Sequence, residues 1–286
     1  MTAVPGATAM ACPAITRERL AADLRAIGVR PGQTLLVHAS LRRIGWVEGG
    51  AVTVVAALRE ALGEAGTLVA GAGTPENSVT SRAFRTEIAG FTKAQNDKFR
   101  RTMPAFDRHE TPTSVGAVAE AVRMTPGAIR SAHPQSSFSA VGPQARFLMA
   151  GHQLDCHLGE KSPLGKLYDA GASVLLLGVG YEVCTAFHLA EYRYTRQPPR
   201  RTYYCVVMSK GKRRWRMYRD VELNDSEFDV IGKTLENEKG VPGRTVGGAD
   251  ARLISLRDAV DFATNWMREH RWNHARMRGP DLSNVG

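Results

Sequence analysis

The chain has 286 residues, of which 43% are hydrophobic and 23% charged, a balance typical of a globular protein with one large α/β core or two smaller ones. Its formal net charge of +10 favours anionic ligands such as phosphorylated cofactors and nucleic acid, and disfavours a purely cationic substrate. No apolar run is long enough to cross a bilayer, and residues 1–13 lack the pattern of a signal peptide. We therefore expect a cytoplasmic protein that does not bind membranes, with a disordered tail over residues 1–13.

The first third of the chain predicts a parallel pair of strands. Apolar residues at helical spacing predict a helix over residues 16–27, with a threonine at its start and a glycine after its end. Two short apolar runs, residues 34–38 and 67–70, predict buried strands, and the Ala-rich residues 51–62 between them predict a helix. Strand, helix and strand at this spacing form a βαβ unit.

The rest of the chain predicts an α/β domain with one hairpin. The polar residues 74–107 are expected to form a long functional loop. The remaining elements are helices over residues 114–123 and 143–150, a strongly apolar strand over 172–179, a helix containing His188 and Glu191, a hairpin with strands 203–208 and 213–219, and helices over 226–235 and 256–269. We predict a single domain over residues 14–272 and a loose tail over 273–286.

The first candidate site is the loop at residues 39–50, which links a predicted strand to a helix. Glycines before a helix let backbone N–H groups approach a phosphate, and Arg42 and Arg43 add positive charge. The loop matches neither a P-loop nor a dinucleotide fingerprint, so spacing alone slightly favours an ordinary tight turn.

The second candidate is the pair His188 and Glu191, three residues apart and so on one helix face. A neighbouring carboxylate fixes the tautomer of an imidazole, which can then act as a general base at the carboxyl end of the sheet. The alternative is a structural surface pair, which is the commoner use of this spacing. Cys184 suggests covalent acyl transfer but is better explained by packing. Thr185 could stabilise an oxyanion or cap the helix.

The spacing of the other histidines and of the cysteines does not predict a metal site. Arg130 and His133 could bind a cofactor phosphate, or Pro134 could simply shape a turn there. His38 ends a buried strand and is more typical of a core residue. No histidines have metal-ligand spacing, and we assign no role to His109, His152, His157, His270 and His274. The four cysteines, Cys12, Cys156, Cys184 and Cys205, form no C-x-x-C pair and are expected to be free thiols.

The basic stretch at residues 200–219 contains Tyr203, Tyr204, Trp215 and Tyr218. Basic residues interleaved with aromatics can bind nucleic acid. The alternation of residues 214–217 also fits a half-exposed hairpin with a solvated basic face, and we favour that interpretation.

Several segments together resemble the aminoglycoside 3-N-acetyltransferases, which differ in fold from the general-control-related N-acetyltransferases. The resemblance extends from about the first helix to the last. In chain order the segments are HASLRRIGWVEGG from His38, Phe106-Asp107, TPTSVGAVAE from Thr111, PGAIRSAHP from Pro126, SFSAVG from Ser137, SPLGKL from Ser162, LLLGVG from Leu175 and TAFHLAE from Thr185.

This resemblance implies a three-layer α/β/α sandwich around a mixed sheet with a small β-hairpin subdomain. It implies transfer of an acetyl group from acetyl-coenzyme A to the 3-amino group of an aminoglycoside. Because the histidines lack metal-ligand spacing we expect no metal, and we expect a monomer or a homodimer. The cofactor is then expected to bind at His38, Ser40, Leu41, Arg43, Gly45, Gly49, Gly50, Ser114, Val115, Arg130, Ser131 and His133.

The family's H-x-x-E pair falls on His188 and Glu191, so His188 is expected to be the base and Glu191 its orienting partner. Thr185 and Thr74 are candidate donors to the oxyanion. Glu182 matches a position that is acidic in some members and faces the antibiotic. Glu76, Asp225 and Asp229 are further candidates for attracting a polycationic acceptor.

The sequence departs from the family in two places. Ala39-Ser40 stands where Ser-Ser is frequent, and residues 73–78 (GTPENS) do not match the antibiotic-modifying members. One alternative is therefore a biosynthetic N-acetyltransferase that acts on another metabolite amine. A nucleic-acid-binding protein that uses the basic hairpin is a third hypothesis, and we do not favour it.

Overall fold

The computed structural model describes the backbone of residues 14–277 and the side chains of residues 14–271. The predicted tail over residues 1–13, which includes Cys12, and residues 278–286 of the predicted C-terminal tail lie outside this part. Within it, no helix is long and apolar enough to cross a membrane.

A mixed seven-stranded sheet organises the chain. Its strands are β1 (Thr34–Ala39), β2 (Thr67–Gly71), β3 (Ile129–Arg130), β4 (Phe138–Val141), β5 (Ser173–Leu177), β8 (Arg244–Val246) and β9 (Ala249–Ser255). They lie in the order β3-β4-β2-β1-β5-β9-β8, in which β2, β1 and β5 are parallel and the outer strands pair antiparallel. The carboxyl ends of the three parallel strands therefore meet at one edge of the sheet.

Helices cover both faces of the sheet, because the central strands bury alternate side chains on opposite sides. Leu35 and Leu175 pack with one set of helices, whereas Leu36 and Leu176 pack with the other. The first set is α1 (Arg17–Ile27), α3 (Gly50–Leu62) and α6 (Ala117–Met124). The second set is α7 (Ala145–Met149), α8 (Pro163–Asp169), α9 (Phe187–Arg193), α10 (Phe228–Lys239) and α11 (Leu256–Met277). The α/β/α sandwich is thus confirmed.

The helix boundaries follow local signals where those signals are strong. Thr16 caps α1 by accepting a hydrogen bond from the Arg19 N–H at 3.3 Å, and Gly28 ends it in the left-handed conformation with a φ of 118°. The predicted loop at residues 39–50 contains a short additional helix, α2 (Leu41–Ile44). α11 runs eight residues beyond its predicted end and includes residues 273–277 of the segment that we expected to be loose.

The second sheet is the predicted hairpin, which is longer than expected. It consists of β6 (Arg200–Ser209) and β7 (Lys212–Val221). The turn residues Lys210 and Gly211 have φ values of 50° and 70°, as a type I′ turn requires at both positions. The register places Trp215 and Met217 on one face and Arg214 and Arg216 on the other, which confirms the predicted alternation.

The polar residues 74–107 do not form an irregular loop. They form α4 (Arg82–Glu87) and α5 (Lys93–Thr102), which pack against the hairpin through a small cluster of Phe84, Met103 and Val206. The Ser78 hydroxyl donates to the Tyr204 carbonyl at 3.0 Å, and the Phe106 N–H donates to the Val206 carbonyl at 2.9 Å. We call residues 78–107 and 196–221 the hairpin unit.

Gly232 lets α10 lie directly against Tyr181, because a Cβ atom there would be 1.9 Å from the tyrosine Cγ. We predict that Gly232→Ala lowers the free energy of unfolding by about 1–3 kcal/mol through overpacking, measured by urea denaturation. Gly243→Ala is the control, since a Cβ atom at Gly243 has no neighbour within 4 Å. Equal stability of the two variants would contradict this role of Gly232.

Candidate active site

The candidate site lies at the edge of the sheet where β1, β2 and β5 end. His38 is the fifth residue of β1, and the segments after β2 and β5 begin at Ala72 and Gly178. α9 follows β5 closely and contains His188 and Glu191. The predicted position of the site beyond the carboxyl ends of parallel strands therefore agrees with the observed topology.

His188 and Glu191 form a hydrogen-bonded pair on one face of α9. The distance from His188 Nδ1 to Glu191 Oε2 is 2.6 Å. A carboxylate only accepts hydrogen bonds, so Nδ1 carries the proton and Nε2 keeps its lone pair. The His188 ring also packs edge-on against Phe228, with 4.7 Å between ring centroids. The imidazole is thus held in one tautomer and one orientation.

Glu191 is 1% exposed and is held by two further donors. Its Oε1 accepts from the Asn224 N–H and from Arg271 Nη1, each at 2.8 Å. Arg271 also bonds Glu227 and donates to the Asn224 carbonyl at 2.7 Å. The carboxylate is therefore fully supplied with partners, as a buried charge requires.

His38 is a second imidazole beside His188. Burial, together with repulsion from His188, lowers the pKa of His38 to about 4, so its ring is neutral at pH 7. Its Nε2 is buried and has no hydrogen-bond partner among the residues that the structure describes. A buried nitrogen without a partner is costly, so this atom is a candidate contact for a ligand.

The loop after β1 leaves backbone N–H groups accessible to a ligand. Ser40 precedes α2, and its N–H donates to the Leu177 carbonyl at 2.9 Å, which ties the loop to β5. Gly49 and Gly50 begin α3 with φ values of 74° and 62°, and a Cβ atom at Gly50 would meet nothing within 4 Å. Open space in front of a helix start suits an anionic group. Leu41, Arg43 and Gly45 lie in the same loop, and Arg43 and Gly45 are exposed.

A second exposed segment reaches the same edge of the sheet. Ser114 and Val115 are both exposed, and the Ser114 N–H donates to the Gly73 carbonyl at 3.3 Å. A Cβ atom at Gly73 would lie 3.4 Å from Val115, so the glycine permits close approach of the two segments. Two groups of predicted cofactor residues therefore lie on the same side of the site. One is Ser114 and Val115, and the other is the loop after β1.

Arg130, Ser131 and His133 are buried, and the structure corrects their predicted role. Arg130 donates to Ser137 and to the carbonyls of residues 72 and 111. Ser131 bonds His152 at 2.9 Å, and both ring nitrogens of His133 have internal partners. These side chains brace the loops around the site and present no free atom to a cofactor phosphate.

Thr74 also differs from its predicted role. It is 1% exposed, and its hydroxyl donates to the Pro134 carbonyl at 2.7 Å, so it is not free to stabilise an oxyanion. Thr185 is half-buried, three residues before His188. Cys184 is fully buried, and burial raises the pKa of its thiol to about 12, which disfavours it as a nucleophile.

The predicted acidic residues follow three different elements. Glu76 is exposed in a 3₁₀ turn after β2, and Glu182 is exposed in a 3₁₀ turn after β5. Asp225 is exposed after β7, and Asp229 at the start of α10 pairs with Lys233 at 2.6 Å. Asp229 is next in sequence to Phe228, and Phe228 contacts the His188 ring.

The sequence did not reveal the residues that hold the pair, namely Arg271 and Asn224, which donate to Glu191, and Phe228, which packs against His188. Arg271 is 80 residues away in sequence and lies beyond the predicted end of the last helix at residue 269. No local spacing links these positions to α9. A buried carboxylate on a predicted helix does require a cation or several donors, and that requirement is the only available signal.

A second buried network surrounds Asp220 at the end of β7. Asp220 accepts from His157 Nδ1 at 2.8 Å and from the Tyr192 hydroxyl at 2.7 Å. The rings of His133 and His152 are stacked at 4.8 Å, and His133 also contacts His157 at 4.6 Å. In the described part of the chain, no group of three His, Cys, Asp or Glu side chains is arranged to hold a metal.

Because His133, His152 and His157 are buried, we expect the free energy of unfolding to fall in acid. Burial lowers the pKa of His152 from 6.5 to about 4, and it lowers the pKa of His133 and His157 as well. Between these pH values the unfolded chain binds a proton that the folded protein does not, so stability is lost as the pH falls from about 6.5 to 4.

We predict that the lowered pKa of His152 alone reduces the free energy of unfolding by about 2 kcal/mol when the pH falls from 7 to 5. In His152→Gln this part of the loss should be absent, as measured by urea denaturation at both pH values. His109→Gln, at an exposed position, should keep the pH dependence of the parent chain. An unchanged pH dependence in His152→Gln would contradict the assignment.

Comparison with known proteins identifies the family. The family model for aminoglycoside 3-N-acetyltransferases matches residues 36–268. The chain is 39% identical to the SPbeta prophage-derived aminoglycoside N(3')-acetyltransferase-like protein YokD of Bacillus subtilis, over 88% of this chain and 92% of the relative. It is 36% identical to aminoglycoside N(3)-acetyltransferase VII of Streptomyces paromomycinus, over 93% of this chain and 95% of the relative.

Solved structures agree with this result. The crystal structure of YokD matches with a TM-score of 0.84 and 37% identity, over 91% of this chain and 96% of that one. AAC-VIa bound to sisomicin matches with a TM-score of 0.77 and 30% identity, over 90% and 98%. AAC-IIIb in a binary complex with CoASH matches with a TM-score of 0.76 and 30% identity, over 90% and 97%. The chain belongs to the aminoglycoside 3-N-acetyltransferase family of acyltransferases.

Proposed function

We propose that this protein transfers an acetyl group from acetyl-coenzyme A to the 3-amino group of the 2-deoxystreptamine ring of aminoglycosides, which gives resistance. The observation that carries the proposal is the pair of His188 and buried Glu191 beside the unpartnered His38, at the edge of the sheet where a ligand can enter. Family membership and the ligands of AAC-IIIb and AAC-VIa support the same reaction.

Acetyl-coenzyme A supplies the activated acetyl group, and two exposed segments would hold it. The loop from Ser40 to Gly50 offers backbone N–H groups, and Arg43 offers charge to the phosphates. Ser114 and Val115 would border the pantetheine arm. His38 would offer its unpartnered Nε2 to the acyl end, which lies nearest His188.

His188 would act as the general base. The neutral acceptor amine attacks the acetyl carbonyl, and Nε2 of His188 removes one proton from the attacking nitrogen as the new bond forms. A carbon–nitrogen bond forms, the carbon–sulfur bond breaks, and the proton held by His188 passes to the departing thiolate. Glu191 stabilises the imidazolium that forms between these steps, while the Thr185 hydroxyl donates to the oxyanion. The buried, poorly acidic Cys184 favours direct transfer over a covalent acyl-enzyme.

The acceptor would bind on the side of His188 formed by α10 and the segments after β2, β5 and β7. Glu76, Glu182, Asp225 and Asp229 are the carboxylates that these elements supply, and three of them are exposed. Carboxylates placed there would pair with the ammonium groups of a polycationic acceptor and align its 3-amino group with His188.

A second candidate function keeps the chemistry and changes the acceptor. The net charge of +10 disfavours a purely cationic substrate, and residues 73–78 differ from those of antibiotic-modifying members. These observations favour a biosynthetic N-acetyltransferase that acts on another metabolite amine.

We predict that His188→Ala lowers kcat roughly 10²- to 10⁴-fold, because the amine loses its base. The affinity for coenzyme A, measured by titration calorimetry, should change by less than about twofold, because the substitution leaves the proposed coenzyme A contacts in place. His109→Ala is the matched control at an exposed histidine and should keep full turnover. Full turnover by His188→Ala would show that another group is the base.

We predict that aminoglycosides of the kanamycin and gentamicin types release free thiol with a kcat/KM at least tenfold above that of other primary amines. In the double variant Glu182→Gln, Asp225→Asn, KM for the aminoglycoside should rise several-fold with little change in kcat, because ground-state and transition-state binding weaken together. Glu64→Gln, at an exposed residue that precedes β2, is the charge-matched control. Turnover of another metabolite amine, with none of any aminoglycoside, would support the second candidate.

A further inference from the structure

The positive charge of this protein is concentrated in the hairpin unit. Residues 78–107 and 196–221 contain fifteen lysines and arginines and only four aspartates and glutamates, so this unit has an excess of eleven positive charges. The formal charge of the whole chain is +10, so the rest of the chain is close to neutral. The excess is therefore a property of this unit and not of the molecule as a whole.

These basic side chains are largely without carboxylate partners. The structure shows ion pairs for only two of the fifteen, Lys93 with Asp97 and Arg201 with Glu222, and both are at least partly exposed. Arg213 instead donates to the carbonyls of Arg100 and Met103, which fixes its position without neutralising its charge. A surface of unneutralised like charges repels itself, and a polyanion would relieve that repulsion.

Exposed aromatic residues lie within this basic surface. Trp215 is 41% exposed and Tyr204 is 39% exposed, although both ring types are usually more buried. Together with Asp97, Arg100 and Arg101 they line a pocket of about 320 Å³ between α5 and the hairpin. The guanidinium carbons of Arg100 and Arg213 lie 5.7 and 5.4 Å from the Trp215 ring. Aromatic rings flanked by guanidinium groups form a stacking platform for a nucleobase.

The basic side chains also extend along a strand. β7 pairs only with β6 within the described residues, and every side chain from Lys212 to Met217 is exposed. Five of the residues along this strand are basic: Arg213 and Arg219 lie on the face of Trp215, and Lys212, Arg214 and Arg216 lie on the opposite face. The seven residues from Arg213 to Arg219 span roughly 20 Å, and Arg100 and Arg101 of α5 lie beside Trp215, so the basic groups on this face can contact several consecutive phosphates.

We propose, in contrast to the interpretation favoured from the sequence, that the hairpin unit binds single-stranded nucleic acid, with one base stacked on Trp215 and the phosphates beside Arg213 and Arg219 of β7 and Arg100 and Arg101 of α5. A duplex would keep its bases stacked internally and could not use the exposed rings. A flat membrane surface would contact the charges, but it would not enter the pocket lined by Tyr204 and Trp215. This binding is separate from acetyl transfer and does not depend on the proposed function.

The test is fluorescence anisotropy of a labelled twelve-nucleotide oligouridine with the full-length protein. Binding should be in the micromolar range at 50 mM KCl and should weaken about 50-fold at 200 mM KCl, as expected when about four phosphates are neutralised on a single strand. The same sequence as DNA should bind similarly, because stacking and phosphate contacts do not require a 2′-hydroxyl. Failure to bind at 50 mM KCl would overturn the proposal.

Variants locate the surface. Trp215→Ala should weaken binding about tenfold, whereas Trp215→Phe, which keeps an aromatic platform, should bind nearly as well as the parent. The double variant Arg100→Gln, Arg101→Gln should weaken binding and flatten the salt dependence. The control Arg19→Gln, Arg59→Gln removes the same charge from exposed positions on α1 and α3 and should change little. Equal effects of the two double variants would show diffuse charge attraction and overturn the proposal.

Two further measurements test whether the unit instead binds a mononucleotide or an anionic membrane. Uridine monophosphate at millimolar concentration should compete only weakly, since it uses the pocket without the strand. Vesicles of phosphatidylcholine with 30% phosphatidylserine should not retain the protein under conditions where the oligonucleotide binds. Complete competition by the mononucleotide at micromolar concentration, or retention by vesicles without oligonucleotide binding, would overturn the proposal. Acetyl transfer and melting temperature, measured for every variant, confirm that each one is folded.

Discussion

The buried carboxylate of Glu191 is the constraint on which the rest of the site depends. It is 1% exposed and accepts hydrogen bonds from His188, the Asn224 backbone and Arg271. A carboxylate buried without these donors would cost several kcal/mol, so α9, the segment after β7 and α11 must converge for the chain to fold. The contacts that orient the His188 ring are thus the same contacts that join these three elements.

Asp220 extends the same arrangement to the hairpin unit. It accepts from Tyr192, the residue that follows Glu191 on α9, and from His157. The segment that begins at Asp220 and reaches Asn224 is therefore attached to α9 at two points. Because β7 ends at this segment, the base of the hairpin has a fixed position relative to His188. The hairpin unit and the His188–Glu191 pair are consequently held in a fixed relative position by these contacts.

Features that depend on residues close together in the chain could be predicted from the sequence. The first βαβ unit, the hairpin and the His188–Glu191 pair were predicted correctly, because periodicity and spacing within single elements determine them. The helices α4 and α5 were missed, because their sequence is polar and their stability comes from Val206 on a distant strand. The contact of Arg271 with Glu191 depends on how α11 packs. The polar residues Arg130 and His133 resembled ligand contacts in sequence, although the fold satisfies them internally.

The distribution of charge also removes an apparent conflict between a basic protein and a polycationic acceptor. The excess of positive charge is confined to the hairpin unit, whereas Glu182, Asp225 and Asp229 lie outside it, around the elements that contact His188. Charges at a surface act over roughly 10 Å at 0.1 M salt, so an approaching ligand responds to its nearest groups and not to the total. The net charge is thus informative about the hairpin unit and much less so about the acceptor site. In the proposed acceptor site, selectivity would depend on these nearby carboxylates and not on the net charge of the chain.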